Sequence, residues 1–176
     1  MYPENERKPV DDNDAVLIEP CGHYPDWLNL VARWQVEASN VVTLSSPAGE
    51  QALKTRLQVL ERQATDDNIP VTYVAHRRGQ PLGCISLVDY PRLGGVPPSY
   101  WVANVFVDQA QRCQGLASEM LSVVEAHAIN QGVSELYLYA TDQVGYYRNR
   151  GWQEVSSKSI DGCPTTIMRK FLCVLG

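Results

Sequence analysis

The stretch from Trp101 to Ala117 changes character twice, and few folds accommodate the change. Trp101-Val102-Ala103-Asn104-Val105-Phe106-Val107 is an apolar run rich in β-branched and aromatic residues, the pattern of a buried strand. The next residues are polar, around Arg112 and Gly115. From Leu116 the apolar residues fall at helical spacing. Leu116, Met120, Val123 and His127 mark one edge of a stripe, and Ala117, Leu121, Val124 and Ala128 the other. The stretch therefore reads as strand, short loop and helix, with a glycine at the join.

Such a join has a physical use. The first N–H groups of a helix have no partner inside it, and the helix dipole puts partial positive charge there. A loop that holds these groups open accepts an anion. Gly115 allows close approach to the backbone, Ala117 keeps the next approach small, and Arg112 adds a cation. A phosphate or pyrophosphate is the natural guest, although many strand-to-helix loops with an Arg and a Gly bind nothing. Neither G-x-x-x-x-G-K-S/T nor a G-x-G-x-x-G after a strand occurs, which argues against kinase, GTPase and dinucleotide-dehydrogenase chemistry.

The chain has 176 residues, enough for one domain with a sizeable core. A net charge of −5 without a compensating basic stripe argues against a nucleic-acid partner. Mild acidity suits an amine substrate, and a solvated surface explains it equally well. No basic segment precedes an apolar N-terminal run, and no stretch is long and apolar enough to span a membrane. Cysteines at 21, 84, 113, 163 and 173 form no C-x-x-C pair, so neither a metal site nor a disulfide framework is expected. A cytoplasmic protein with reduced thiols is the simplest reading.

Residues 1–14 read as a polar, flexible leader, and residues 15–176 as a single domain. Ala15 to Glu19 is expected to be a strand, Pro25 to about Val36 a helix, and residues 38–46 are ambiguous. Ser45 or Ser46 can cap a second helix that begins at Pro47 and ends near Gln63. Val71–His76 and Pro81–Tyr90 form a hairpin, and Pro91–Ser99 a loop. After the central strand, loop and helix, Gln131-Gly132 ends the helix. Glu135–Ala140 is a strand, Gln143–Asn149 a short helix and Trp152–Val155 a strand. Ser156–Pro164 reads as a loop and Thr165–Leu172 as the last strand. The order β-α-α-β-β-β-α-β-α-β-β predicts an α/β fold, a mixed sheet with helices on both faces.

Element order and two motifs together resemble the GNAT superfamily of acyl-CoA-dependent N-acyltransferases. The family's pyrophosphate loop reads Gln or Arg, two residues, Gly, one residue, then Gly or Ala. Here it stands as Arg112-Cys113-Gln114-Gly115-Leu116-Ala117, after the fourth strand and opening the third helix. The family's fourth helix commonly reads aromatic-Tyr-x-x-x-Gly-aromatic, here Tyr146-Tyr147-Arg148-Asn149-Arg150-Gly151-Trp152. Together they are far more specific than either alone, and the likeness covers roughly residues 15–172.

The resemblance implies acetyl-CoA as cosubstrate, no metal, and an amine acceptor. Backbone groups of Val105, Phe106 and Val107 would bind the pantetheine arm as an added strand. N–H groups of Arg112, Cys113, Gln114, Gly115, Leu116 and Ala117, with Ser118, would hold the pyrophosphate. The two parallel strands would splay apart after Val107, where the Val107 N–H would polarise the thioester carbonyl. Tyr147 would be the general acid for the departing thiolate, and Tyr146 a packing aromatic. Asp142 stands where relatives often place an asparagine near the cofactor.

The resemblance has a gap. Many relatives carry a glutamate base on the fourth strand, and Asn104, which stands there, cannot take a proton. Glu19, Asp89 and His76 are candidates from neighbouring strands, with water as the other route. Cys113 replaces a commoner glycine and reads as a loop residue rather than a nucleophile. His127 reads as core. Trp27, Asp89, Tyr90 and Tyr100 are candidate acceptor contacts, and the segment from Tyr90 to Trp101 is a lid or simple slack. A small-molecule amine is the expected acceptor, and a homodimer is left open. Two other readings stand beside transfer: an acyl-CoA-binding sensor, and an unrelated phosphate-binding α/β domain.

Overall fold

The computed structural model describes residues 15–39, 43–63, 68–91, 98–160 and 162–173. The leader at 1–14, the middle of the ambiguous stretch at 40–42 and most of the loop after Tyr90 lie outside the described residues. Strands are β1 (Leu17–Pro20), β2 (Val71–Arg77), β3 (Gln80–Tyr90), β4 (Ser99–Val107), β5 (Glu135–Ala140), β6 (Gln153–Ile160) and β7 (Cys163–Phe171). Helices are α1 (Leu28–Ser39), α2 (Pro47–Gln63), α3 (Leu116–Asn130) and the short α4 (Val144–Arg148).

The strands form one seven-stranded sheet in the order β1-β2-β3-β4-β5-β7-β6. Every pair is antiparallel except β4 and β5. This is the mixed α/β arrangement expected from the sequence.

Alternation along the strands sorts the core into two layers. On one face α3 lays Leu116, Met120 and Val124 against Ile85, Leu87, Leu136 and Leu138. On the other, Val31 and Ala32 of α1 and Leu60 of α2 cover Val74 and Cys84. Phe106 turns to this second face and stacks on Trp34, with ring centroids 5.1 Å apart.

Local chemistry explains most boundaries. Pro25-Asp26-Trp27 is a 3₁₀ turn, and the α-helix begins only at Leu28. Ser46 caps α2 by accepting the Gly49 N–H at 3.0 Å. The β2–β3 hairpin turns through Arg78 and Gly79, both at positive φ (51° and 73°), as a two-residue turn of matching twist requires. His127 sits half-buried and bonds Tyr73 through Nδ1 at 2.8 Å.

Two expectations need correction. Ser156 to Ile160 and Cys163 to Pro164 are strand and not loop, because Ser156 pairs with Ile167, Lys158 with Thr165 and Ile160 with Cys163. β6 is an exposed edge strand with polar residues, so backbone pairing, not hydrophobic alternation, defines it. The parallel strands also part earlier than expected. Their last paired residues are Trp101 and Tyr137, well before Val107.

Candidate active site

β4 and β5 share only two rows, Tyr100 with Leu136 and Trp101 with Tyr137. Beyond them β4 runs on to Val107 and β5 to Ala140 with a cavity of about 280 Å³ between them. Asn104, Val105, Tyr139, Asp142 and Tyr147 line it, and Ser39 reaches it from the end of α1.

A β-bulge shapes its β4 wall. Between the pairs Ser86–Ala103 and Cys84–Phe106, β4 spends one more residue than β3. Asn104 takes up the excess at φ 53°, a left-handed conformation that asparagine tolerates better than most side chains. Its Nδ2 donates to Ser86 Oγ at 3.1 Å, and Gln35 Nε2 donates to the same oxygen at 3.3 Å. Ser86 Oγ lies 2.8 Å from Thr72 Oγ1, which donates to Gln63 Oε1 at 2.8 Å. Two N–H groups occupy the Ser86 lone pairs, so the Ser86 hydroxyl donates to Thr72. The chain of bonds runs one way and uses the Asn104 amide N–H, which leaves Oδ1 without a donor among the described residues.

Past the bulge, β4 has its free edge on the cavity. Asp108 N–H donates to Leu82 O at 2.8 Å, so the peptide between 107 and 108 directs its N–H at β3 and the Val107 carbonyl away. That carbonyl accepts from Arg112 Nε at 3.0 Å. In an extended residue N–H and C=O point to the same side, so the Val107 N–H faces away from β3 too, and Val105 repeats the direction. Phe106 directs its backbone at β3 and its ring into the core. An extended ligand arm beside β4 would meet Val105 and Val107.

A second cavity, about 320 Å³, lies over the loop between β4 and α3. Val107, Arg112, Cys113, Gly115, Ser118 and Arg150 contribute to it. The Arg112 N–H is used by Gln109 O, and those of Ser118 and Glu119 by Gly115 O. Among the described residues, no protein group accepts from the N–H groups of Cys113 to Ala117. Cys113 (φ 61°) and Gly115 (φ 88°) are both left-handed, which turns the amides of the loop into a concave rim.

The candidate loop side chains divide. Arg112 commits Nε to the Val107 carbonyl, Leu116 is buried in the core and offers only its N–H, and Cys113 is exposed. Gln114 bonds Ala110 O at 3.1 Å and does not reach the cavity. Ser118 Oγ meets Tyr146 OH at 3.1 Å and Arg150 Nε at 2.9 Å. Arg150, absent from the candidates, brings a cation to the rim. Its guanidinium lies 3.6 Å over the Tyr146 ring and donates to Tyr146 O at 3.1 Å. Arg150 stands inside the second motif, just before Gly151, but nothing in that spacing aims it at the rim.

Tyr147 stands between its neighbours Tyr146 and Trp152, both edge-on. Burial, with smaller contributions from Tyr146 and Asp142 and an opposing one from Arg150, pushes its phenol up to about 12. Among the described residues its hydroxyl has no protein partner, and the residue lines the β4–β5 cavity.

The base candidates are elsewhere. Glu19 accepts from Tyr24 OH, and His76 Nε2 lies 2.9 Å from both. Tyr24, then His76, hold the Glu19 carboxyl below its ordinary range. This cluster sits on β1 and β2 under Trp27, which stacks on Tyr24 at 4.1 Å. Asp89 pairs with Tyr100 at the other end of β3. None of the three, and none of Trp27, Tyr90 or Tyr100, lines the cavity. Asp142 is the carboxylate that does, next to Thr141, whose hydroxyl donates to it at 3.2 Å.

Comparison with known proteins agrees with this geometry. The model of the Acetyltransferase (GNAT) family matches residues 34–152, and the chain belongs to that family. The acetyltransferase of the GNAT family from Streptococcus pneumoniae superposes with a TM-score of 0.67 at 18% identity, covering 90% of this chain and 99% of that one. A GCN5-related N-acetyltransferase from Ralstonia eutropha JMP134 gives 0.66 at 20%, covering 83% and 97%. The yncA protein of Salmonella typhimurium, determined with its cofactor acetyl-CoA, gives 0.68 at 16%, covering 90% and 95%. At these identities the likeness is one of fold. No curated protein matches the chain significantly.

Proposed function

We propose that the protein transfers the acetyl group of acetyl-CoA directly to the nitrogen of a small amine. The observation that carries this reading is the free β4 edge, which runs from Val105 in the cavity lined by the Tyr147 phenol to Val107 in the cavity over the open amides. The residues fit the cofactor at both ends. Open amides of Cys113 to Ala117 and the Arg150 guanidinium suit the pyrophosphate, and the β4 edge suits the amide-bearing arm. Bound there, acetyl-CoA supplies an activated carbonyl.

The chain supplies the rest. Val107 N–H donates a hydrogen bond where negative charge develops on oxygen. Tyr147, protonated throughout the physiological range, gives a proton to the leaving sulfur. Asn104 cannot accept the amine's proton, so the nucleophile enters as free base or loses its proton to water or Asp142 at the mouth. Gly115, Leu116 and Ala117 keep the rim open to the anion.

The test begins with a thermal melt. Acetyl-CoA at 100 times its Kd stabilises by about 2.7 kcal/mol, a rise of roughly 5–10 °C for a chain this size. ATP, lacking pantetheine, produces a much smaller rise. Thiol release in the presence of an amine panel then separates transfer from a sensor role. A shift with no turnover on any amine would favour the sensor, and no shift at millimolar acetyl-CoA would overturn both.

A further inference from the structure

Four rings form a continuous strip on the sheet face opposite α3, outside the part that α1 and α2 cover. Tyr90 on β3 meets Trp101 on β4 edge-on at 6.1 Å. Trp101 stacks on Tyr137 at 5.2 Å and meets Tyr139 at 4.6 Å, both on β5. The strip crosses the sheet where β4 and β5 stop pairing. Tyr139 is 48% exposed and Tyr90 53%, so these are not core rings. The inner residues of β5, Leu136, Leu138 and Ala140, are buried on the opposite face.

The strip leads into the cavity. Tyr139 belongs to both, and across the cavity from it stands Asn104. Gln35, Ser86 and Thr72, each at most 2% exposed, fix the polarity of the Asn104 amide through the one-way chain of hydrogen bonds. Among the described residues no donor reaches Asn104 Oδ1. Asn104 is half-buried, which leaves that acceptor open to water in the free protein and to a donor on a bound ligand. The Tyr139 end of the strip carries positive charge, since Lys158 Nζ lies 5.2 Å over the Tyr139 ring. A polycationic body would be repelled there.

We propose that this face is the acceptor subsite, and that it takes a small primary amine carrying one flat aromatic group. The ring stacks on Tyr139 and Trp101, and the amine N–H donates to Asn104 Oδ1. Offset and edge-on ring contacts favour an aromatic body over an alkyl chain of equal length. Gln35, Ser86 and Thr72 act as positioning residues. This assignment rests on the acetyl-transfer reading for the role of the amine, but the site itself is tested by binding.

The experiment titrates 2-phenylethylamine and hexylamine calorimetrically into the full chain saturated with CoA, which binds without reacting. The aromatic amine is expected to bind at least tenfold tighter. Tyr139→Leu and Trp101→Leu are each expected to remove most of that preference. Asn104→Gly, which keeps the left-handed backbone, weakens both amines alike. Equal affinity for the two amines, no binding of either, or a preference that survives both ring variants would overturn the proposal. So would a wild-type dimer, seen by light scattering, that Tyr139→Leu converts to monomer. Binding of the aromatic amine without acetylated product from acetyl-CoA would support the subsite and overturn transfer. Product formed without any ring preference would do the reverse.

Discussion

Arg150 Nε donates to Ser118 Oγ at 2.9 Å, tying the turn after α4 to the first turn of α3. The contact sets a cation beside open amides, and the Tyr146 ring holds the guanidinium from below at 3.6 Å. Arg150→Gln is therefore expected to weaken acetyl-CoA binding about 10- to 100-fold, the range for a charge-assisted contact. It should also flatten the dependence of Kd on salt. Calorimetry at two ionic strengths checks both. Unchanged affinity would remove Arg150 from the site.

Gly115 sits at φ 88°, and a Cβ there would meet nothing within 4 Å. The protein leaves that space empty over the amide rim. Gly115→Glu would project a carboxylate into it, and repulsion from a bound pyrophosphate should abolish cofactor binding. Gly115→Ala carries only backbone strain, about 1 kcal/mol, and should retain binding. Melting curves with and without acetyl-CoA distinguish the two.

Tyr147→Phe should lower kcat about 10²-fold and leave the Kd of acetyl-CoA within a factor of about three, as expected for a proton donor. With its phenol raised to about 12 by burial, the wild-type acid stays loaded while amines titrate. The pH profile of kcat/KM should rise with amine deprotonation and show no descending limb below about pH 10.5. The same shift has a sign for stability. The folded phenol holds its proton above the unfolded value of 10, so its contribution is complete below that pH and fades toward 12. Alkaline melts of the wild type should fall more steeply than those of Tyr147→Phe.

Gly83 lies where β3 passes β4, and an added Cβ would stand 2.5 Å from the Phe106 carbonyl oxygen. Gly83→Ala must push the two strands apart. A loss of about 2 kcal/mol, or roughly 4–8 °C in Tm, is expected. Because Val107 pairs with Gly83, acetyl-CoA affinity should fall as well. A melt at wild-type temperature would show that the strands part without strain.

Much of this was legible because one stretch carries three signals in sequence: Val105-Phe106-Val107 for a buried strand, Gly115 for a join, and Leu116 to Ala128 for a helix. What escaped depends on partners distant in the chain. Ser156, Ser157, Lys158 and Ser159 have no apolar alternation, and only the β7 ladder makes them a strand. Just past the point where β4 leaves β5 lies a bulge whose sole local sign is an asparagine that tolerates positive φ. Arg150 faces the rim because α4 returns over α3, a geometry no spacing encodes. Glu19 and His76 did come together, with Tyr24, but on β1 and β2, three and two strands from β4.

The two shared rows of β4 and β5 have a consequence for how the molecule breathes. The sheet consists of a four-stranded block and a three-stranded block meeting at a short seam, with α3 lying across both in one shared core. Amides along the unpaired edges, at Val105 and Val107, have no sheet partner to slow hydrogen exchange. An extended ligand arm laid between the blocks would become the missing rungs. The blocks should then exchange as one cooperative unit in the bound protein and as two in the free protein, so that the ligand completes the sheet as well as occupying it.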